Sequence, residues 1–293
     1  MDGLTRRRGA AVQRLLRIEG EPVLVGIVQP ATDRVLFAAR ARTPEAAHAA
    51  IARMRFATGV DDDLRPFHDR FRDDPVIGRS VRSLPGLRVR RQPQPWETLL
   101  SAITEQLIEL ERAMAIQRRM IAAFGYRCPD TGMRDAPTPA AIAAMAPAQL
   151  VAFDLAPKRA IALRRVAGEV AAGRIDLSGH DVRRLLAIRD VGLWTVEMLG
   201  LHGQGRMDVV PAGDLGFLKI VGRLLTGHPR ARADEGEVRG FFERYGEWKG
   251  LAGAHLVHAA ARGLTPARFA PGRAPRPAGT RWSAAPARRL RAA

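Results

Sequence analysis

The run from Leu185 to Lys219 constrains the fold of this chain more than any other stretch, because it places a tight glycine turn between two apolar segments with helical spacing. The turn is Asp190-Val191-Gly192, and the second segment begins at Leu193. We predict a helical hairpin in which Gly192 allows a positive φ. The unpaired N–H groups that open the second helix would suit a phosphate, whereas an ordinary hairpin packed in a core is the alternative.

A lone acid, Asp214, follows Pro211-Ala212-Gly213 and precedes an apolar helical stripe that starts at Leu215. This position predicts a helix N-cap, where Asp is a preferred residue. The helix dipole and the free N–H groups also favour an ionised carboxylate there, which is able to stabilise positive charge on a substrate. Capping and catalysis are compatible, so Asp214 is the candidate catalytic residue.

The net charge of +17 favours a polyanionic partner such as nucleic acid, although the bias is almost entirely Arg and can also reflect coding composition. Cys128 is the only cysteine, which excludes an intrachain disulfide, a Cys-based zinc site and a four-cysteine iron–sulfur cluster. No apolar run approaches the roughly 20 residues that span a bilayer, and no signal-peptide h-region follows Arg6 to Arg8. We expect a cytoplasmic, nucleoid-associated protein.

The predicted fold class is α+β, a small N-terminal α/β-sheet domain followed by a mainly α-helical core. Residues 1–12 are predicted as a basic extension, and residues 13–90 as the α+β domain, with a hairpin of strands at 23–28 and 34–38 and a helix at 43–55. Residues 91–262 form the helical core, with one long helix at 96–124 and the helical hairpin at 182–202. The Pro-, Arg- and Ala-rich residues 263–293 are predicted as a disordered basic tail.

Five segments together resemble one family. The hairpin IRDVGLWT and the loop MDVVPAGDL that carries Asp214 resemble the helix-hairpin-helix DNA glycosylases with a Gly/Pro-rich loop and a catalytic Asp. The segment PWETLLSAITEQL is similar to the family helix that meets the DNA minor groove. Residues 59–64 and 74–78 resemble the N-terminal domain of the bacterial 3-methyladenine DNA glycosylase II (AlkA-type) branch.

The resemblance implies a monofunctional glycosylase of base excision repair that flips an alkylated purine, of the 3-methyl or 7-methyl type, out of double-stranded DNA and hydrolyses its glycosidic bond. Asp214 would stabilise the positive charge that develops on the sugar. Relatives that also cut the backbone carry a lysine where this chain has Trp194, so lyase activity is not expected. The resemblance implies no required cofactor and a monomer.

The resemblance also assigns site residues. A leucine wedge would be Leu107, beside Gln106, although a leucine at helical spacing is also typical of a core. The DNA-binding residues would be Gln106, Leu107, Val191, Gly192, Leu193, Trp194 and Thr195. The base pocket would comprise Trp194, Met198, Trp248 and Leu251. The backbone carbonyls of Leu186, Ile188 and Val191 would hold a structural Na⁺ or K⁺ ion at the hairpin.

Three departures from the family pattern keep other functions open. Asp190 replaces the first hairpin glycine, and Met198 and Leu251 stand where the branch has aromatic residues. A DNA-damage or DNA-structure binding protein, non-catalytic or of altered specificity, is therefore the alternative. A glycosylase for an oxidised or deaminated base is a third hypothesis, and it needs hydrogen-bonding residues for a neutral base that the sequence does not reveal.

Overall fold

The computed structural model describes residues 3–179 and 182–269. It begins with a four-stranded antiparallel sheet in the order β1-β2-β3-β4. The valines of β3 at positions 23 and 25 are buried against α1, whose small side chains allow a close approach. The predicted strand hairpin and the helix that follows it are confirmed. The bounds are β1 Thr5–Arg8, β2 Ala11–Ile18, β3 Glu21–Ala31, β4 Arg34–Arg40 and α1 Pro44–Thr58.

The start of the chain differs from its prediction as a basic extension. Thr5–Arg8 pairs with β2 as an edge strand. Leu4 is buried beside Ile121, and the guanidinium of Arg6 donates to the side chain of Gln13 at 3.2 Å. Consecutive arginines are compatible with an exposed edge strand, so this run of charges did not indicate a strand in the sequence.

Helices form the rest of the described chain. The predicted single helix at 96–124 is two helices, because the chain turns at residues 106–109 and Leu107 adopts a positive φ of 54°. The bounds are α2 Arg65–Phe71, α3 Gly78–Ser83, α4 Pro95–Glu105, α5 Leu110–Phe124, α6 Pro139–Ala143, α7 Pro147–Val151, α8 Pro157–Ala171, α9 Arg183–Leu186, α10 Leu193–Met198 with a π-helical continuation Leu199–Gly203, α11 Leu215–Thr226, α12 Glu235–Phe242 with a 3₁₀ continuation Glu243–Trp248, and α13 Lys249–Ala261.

The helices enclose two apolar cores. One core lies between α4, α5, α8 and the hairpin helices, and the other between α2, α3, α11, α12 and α13. Phe67 and Ile77 belong to the second core, where α3 packs against α13. The predicted domain boundary at residue 90 therefore differs from the structure, in which apolar side chains from the 64–89 segment are buried in the same core as the C-terminal helices.

The first part of the predicted tail is packed rather than free. The N–H of Phe269 donates to the Leu224 carbonyl at 2.6 Å, and its ring meets Phe241 and the guanidinium of Arg244. The aromatic ring supplies the apolar contact that holds this segment on the helices. Residues 270–293 of the predicted tail lie outside the described part of the chain.

A buried ion triad joins the sheet to the helices. The guanidinium of Arg14, on β2, contacts Glu97 of α4 at 2.8 Å and Asp135 at 3.3 Å, and all three side chains are at most 5% exposed. Buried charges are retained only when they are paired. The triad therefore fixes how the sheet sits on α4, the helix whose end carries Gln106. Across the described ranges, 3–179 and 182–269, no helix is long and apolar enough to cross a membrane.

A histidine in the second core makes the stability depend on pH. Burial, with smaller contributions from His68 and His258, lowers the pKa of His255 from 6.5 to about 4. Its Nδ1 is 2.9 Å from Ser80 Oγ. A group with a depressed folded pKa binds protons more readily when unfolded, so its contribution is present above pH 6.5 and is lost as the pH falls towards 4.

We expect the free energy of unfolding to fall by about 3 kcal/mol over this window because of His255 alone. Urea unfolding of wild type and His255→Gln across the window measures this contribution. The variant should show a flatter profile. If both profiles have the same slope between neutral pH and the folded pKa, the assignment to His255 is wrong.

Candidate active site

Asp214 is the N-cap of α11. Its carboxylate accepts from the N–H of Gly216 at 2.8 Å, and its own N–H donates to the Pro211 carbonyl at 2.9 Å. The side chain is partly exposed, while Pro211 and Ala212 before it are buried. The predicted N-cap is thus confirmed, and the cap bond leaves further carboxylate lone pairs available as acceptors.

The loop before Asp214 is held by an acid on the hairpin. Glu197, on α10, accepts from the N–H of Ala212 at 3.1 Å and forms an ion pair with Arg239 of α12. Arg239 also lies 3.6 Å from Glu235. These bonds connect the hairpin, the Asp214 loop and α12, so they fix where the Asp214 carboxylate lies relative to α10. The sequence analysis missed Glu197; its only signal is an acid within an apolar helix.

The hairpin turn adopts its left-handed conformation at Asp190, with φ 68°. The predicted positive φ at Gly192 is wrong: its φ is −107°, in extended backbone. Asp is among the residues that tolerate left-handed backbone, so Asp190 performs the conformational role of the glycine it replaces. No side chain within the described residues caps α10, and Gly192 and Leu193 are exposed. The turn is open towards solvent.

The end of α4 is tied to the hairpin. The side-chain amide of Gln106 donates to Thr195 Oγ1 at 3.0 Å and to the Asp190 carbonyl at 3.2 Å. Thr195 is buried, and Val191 is 6% exposed. Gln106 thus positions the turn rather than pointing away from it. The next residue, Leu107, is 97% exposed, which excludes the core role that helical spacing also allowed.

Leu107 is exposed and adopts strained backbone, so its presence lowers the stability of the protein. We infer that the leucine is retained for function. A non-glycine residue in left-handed backbone costs about 1–3 kcal/mol. We expect Leu107→Gly to raise the free energy of unfolding by about 1 kcal/mol and to reduce processing of duplex DNA, because the apolar wedge is lost. Urea unfolding and base release measure the two effects.

The matched control is Glu19→Gly. Glu19 also has a positive φ, of 49°, and lies in the exposed turn between β2 and β3. It should stabilise similarly without changing base release. An unchanged activity of Leu107→Gly would contradict the role of the leucine as a wedge.

Trp194 lies next to the Asp214 loop. A side-chain carbon added at Gly213 would be 3.6 Å from Trp194 Cβ and 3.0 Å from Glu235 Oε1. The glycine therefore lets α10 and α12 close on the loop. The indole Nε1 of Trp194 is buried and has no hydrogen-bond partner among the described residues. Met198, one turn further along α10, is half-buried.

The other two residues predicted for the base pocket lie elsewhere. Leu251 is 1% exposed in the second core, and Trp248 packs on Phe67 with ring centres 5.8 Å apart. Both line a cavity of about 290 Å³ whose lining includes Arg91 and not Asp214. Gly250 lies between these two residues, and its N–H donates to the Met207 carbonyl at 2.7 Å. The 248–251 segment therefore supports the loop that leads to Asp214.

Two titratable groups share the electrostatic surroundings of Asp214. Burial raises the pKa of Glu105, and the Asp214 carboxylate raises it further, whereas a hydrogen bond from Gln117 opposes both effects. Burial lowers the pKa of His202, which Asp214 opposes. Asp208 is exposed, and the guanidinium of Arg206, 2.9 Å away, holds the pKa of its carboxyl below the usual range.

The hairpin carbonyls were a predicted cation site. The Ile188 carbonyl accepts from the N–H of Val191 at 3.1 Å and keeps a second lone pair. Among the described residues no group of His, Cys, Asp and Glu side chains is arranged to hold a metal ion. Carbonyl oxygens are ligands that hard cations accept, and the Na⁺ or K⁺ site at the carbonyls of Leu186, Ile188 and Val191 stays a prediction.

A comparison with known families identifies the fold. The model of the HhH-GPD superfamily base excision DNA repair protein family matches residues 100–246, which include the hairpin and Asp214. The chain belongs to the HhH-GPD superfamily. The resemblance that the sequence motifs carried is confirmed, and this member of the superfamily is a base excision DNA repair protein of the DNA glycosylase class.

Two curated relatives are named as DNA repair enzymes. A DNA-3-methyladenine glycosylase of Bacillus subtilis is 24% identical over 67% of this chain and 67% of its own length. A Mycobacterium tuberculosis protein named probable bifunctional transcriptional activator/DNA repair enzyme AlkA is 27% identical over 87% of this chain. The alignment spans about half of that relative, 51% of its length.

Two solved structures have the same fold. The 3-methyladenine DNA glycosylase from Archaeoglobus fulgidus matches with a TM-score of 0.74 at 19% identity, covering 88% of this chain and 89% of that one. The Clostridium acetobutylicum 8-oxoguanine glycosylase/lyase, solved with double-stranded DNA, matches with a TM-score of 0.68 at 16% identity, over 90% and 99%. The α+β fold class is confirmed.

Proposed function

We propose that this protein is a monofunctional DNA glycosylase that removes alkylated purines of the 3-methyl and 7-methyl type from double-stranded DNA. The observation that carries the proposal is the partly exposed Asp214 carboxylate, fixed as a helix cap beside Trp194. The curated relative from Bacillus subtilis is named a DNA-3-methyladenine glycosylase, which supports this substrate class.

The exposed residues Leu107, Gly192 and Leu193 indicate which surface of the protein would contact DNA. Leu107 would enter the duplex and fill the space of the flipped nucleotide, while Gly192 and Leu193 would meet the backbone of the damaged strand. Gln106 and Thr195 hold these two surfaces in register through their 3.0 Å bond. Buried Val191 would contribute its backbone rather than its side chain. Contacts with phosphates should make binding strongly salt-sensitive.

The flipped base would stack on Trp194 and Met198. A cationic alkylated purine is attracted to an electron-rich indole ring. Trp248 and Leu251 pack behind the Asp214 loop, so we assign them a supporting role rather than contact with the base. Because Trp194 is the one aromatic residue assigned to the flipped base, selection of the damaged purine would depend more on its positive charge than on its shape.

Asp214 would stabilise the oxocarbenium-like sugar and orient the attacking water. An N-alkylated purine already carries the positive charge that makes it a good leaving group, so no metal or diffusible cofactor is needed. Trp194 has no amine to form a Schiff base, and strand cleavage is therefore not expected. We propose that the protein acts as a monomer, with a Na⁺ or K⁺ ion at the carbonyls of Leu186, Ile188 and Val191 shaping the hairpin.

The test is release of free bases from methylated double-stranded DNA by the wild-type protein, with chromatographic identification of the bases and gel analysis of the strand. Release of 3- or 7-methylpurines with the strand left intact supports the proposal. Tight DNA binding without release of any base contradicts it and favours the non-catalytic binding protein.

A further inference from the structure

A basic cavity lies between α8 and α9, outside the site of Asp214. This α8–α9 groove has a volume of about 540 Å³, and its lining includes Arg164 and Arg165 of α8 and Arg184 of α9. All three arginines are exposed. Glu169 is the only acid in the lining, so three positive charges face one negative charge.

The acid of the groove is already neutralised from outside. Both carboxyl oxygens of Glu169 accept from the guanidinium of Arg174, at 2.8 and 3.0 Å, and Arg174 does not line the groove. Within the described part of the chain, no acid forms an ion pair with Arg165 or Arg184. The groove therefore presents guanidinium groups without counter-ions, and such groups bind phosphate oxygens strongly.

A glycine in the groove wall is not required by packing. Gly168 lies within α8, and a side-chain carbon added there would meet no heavy atom within 4 Å beyond its own stretch of helix. Glycine inside a helix lowers stability relative to alanine, and no contact within the protein explains this one. One turn earlier, Arg164 Nε donates to the Met145 carbonyl at 2.8 Å, which holds that guanidinium at the groove. The wall thus allows close approach of a ligand backbone to fixed positive charge.

The groove extends to the hairpin turn. Its α9 wall runs from Arg184 to Ile188, one helical turn further along the chain. The Ile188 carbonyl accepts from the N–H of Val191 at 3.1 Å, inside the turn that exposes Gly192 and Leu193. A DNA strand that lies on the exposed turn therefore continues along the groove.

We propose that the α8–α9 groove binds the sugar-phosphate backbone of the DNA flank beside the damaged base, with Arg165 and Arg184 each contacting one phosphate. This inference rests on the proposed function, which makes duplex DNA the ligand. The hairpin turn carries an exposed acid, Asp190, whose charge repels phosphate. The arginines of the groove supply the attraction that this acid opposes.

The salt dependence of DNA binding tests the inference. Fluorescence titrations measure the Kd of the full-length protein for a duplex with one central abasic analogue, between about 50 and 200 mM salt. Each phosphate contact contributes about 0.9 to the slope of log Kd against log salt concentration. The double variant Arg165→Gln/Arg184→Gln should therefore show a rise in Kd across this range about tenfold smaller than that of the wild-type protein.

Arg34→Gln/Arg40→Gln is the matched control for charge. It removes two positive charges at the exposed first and last residues of β4. The sheet joins the helices through Arg14 and Glu97 near the start of α4, whereas Gln106 contacts the hairpin from the other end. This variant should keep the wild-type slope. An equal loss of slope in both double variants would be an effect of net charge alone and overturns the inference.

Gly168→Leu tests the same surface without changing the charge. The leucine side chain occupies the open space beside α8, so DNA affinity should fall about tenfold through loss of the phosphate contacts. Gly240→Leu is its matched control. Gly240 is exposed within α12, and a carbon added there also meets no heavy atom within 4 Å, so this variant should keep the wild-type affinity.

Shorter duplexes identify the DNA flank that the groove contacts. Two duplexes are compared, each ending close to the abasic analogue on one side. Because the groove lies to one side of the hairpin, removal of one flank should weaken binding by the wild-type protein about tenfold. The same removal should leave the affinity of Arg165→Gln/Arg184→Gln unchanged. Equal losses in the two proteins, or no loss with either duplex, overturn the inference.

The proposed function is tested separately by release of alkylated bases. If the wild-type protein releases them and both groove variants bind DNA like wild type, the inference is wrong and the proposed function stands. An acidic protein segment then becomes the candidate ligand of the groove. If the wild-type protein releases no base, the proposed function is wrong, and the salt slopes still decide whether the groove binds DNA.

Discussion

Asp214→Asn should reduce base release at least about a thousandfold while the fold and most of the DNA affinity remain. The carboxylate is the negative charge that opposes the positive charge on the sugar, and the amide removes that charge. Asn is as good an N-cap as Asp, so its side-chain oxygen still accepts from the N–H of Gly216. The DNA-facing residues Leu107 and Gly192 are unchanged. Base release and a fluorescence binding titration measure the two effects.

Asp234→Asn is the matched control for this experiment. Asp234 caps α12 in the same way, accepting from the N–H of Glu237 at 2.8 Å, and it is exposed. This variant should retain full activity, which separates loss of a cap charge from loss of catalysis. An Asp214→Asn protein that still releases bases at the wild-type rate would leave only a capping role for Asp214.

Arg14→Met should lower the free energy of unfolding by about 3–5 kcal/mol. The substitution removes the cation that forms ion pairs with Glu97 and Asp135, at 2.8 and 3.3 Å. Burial already raises the pKa of both carboxyls. Without the guanidinium they are more stable protonated than charged, so the destabilisation should increase as the pH rises. Urea unfolding at neutral pH and at about pH 5 measures both the loss and its pH dependence.

Arg174→Met is the matched control for the triad. Arg174 pairs with Glu169 at 2.8 Å, the same distance as the Arg14–Glu97 contact, but its side chain is 52% exposed. An exposed pair of this kind contributes less than about 1 kcal/mol. Similar losses in both variants would show that burial does not determine the stability contributed by the Arg14 triad.

Local sequence patterns were sufficient to predict the strand hairpin, most of the helices and the Asp214 cap. The run of β-branched residues in β3 and the apolar stripe after Leu215 are local patterns, so the sequence alone predicts both elements. The break at residues 106–109 is different. Residues on both sides have high helix propensity, and the helix stops because Gln106 bonds to the hairpin, far along the chain.

The hairpin turn also combines a feature that the sequence predicts with one that depends on distant contacts. Glycine was the residue expected to take left-handed backbone, yet Asp190 takes it and Gly192 is extended. A single-residue preference could not distinguish the two, because both residues tolerate that conformation to some degree. The Gln106 bond to the Asp190 carbonyl belongs to the arrangement that was realised.

The sequence by itself determined the α+β class, the helical hairpin, the family and the place of Asp214, because each depends on periodicity, capping or a contiguous motif. Only the tertiary structure decided that Leu107 is exposed, that Trp248 and Leu251 support the Asp214 loop, and that Glu197 holds this loop against the hairpin. The physical reason is that exposure, a raised pKa and an ion pair all depend on groups brought together from distant parts of the chain. A linear sequence specifies those groups without showing which of them will meet.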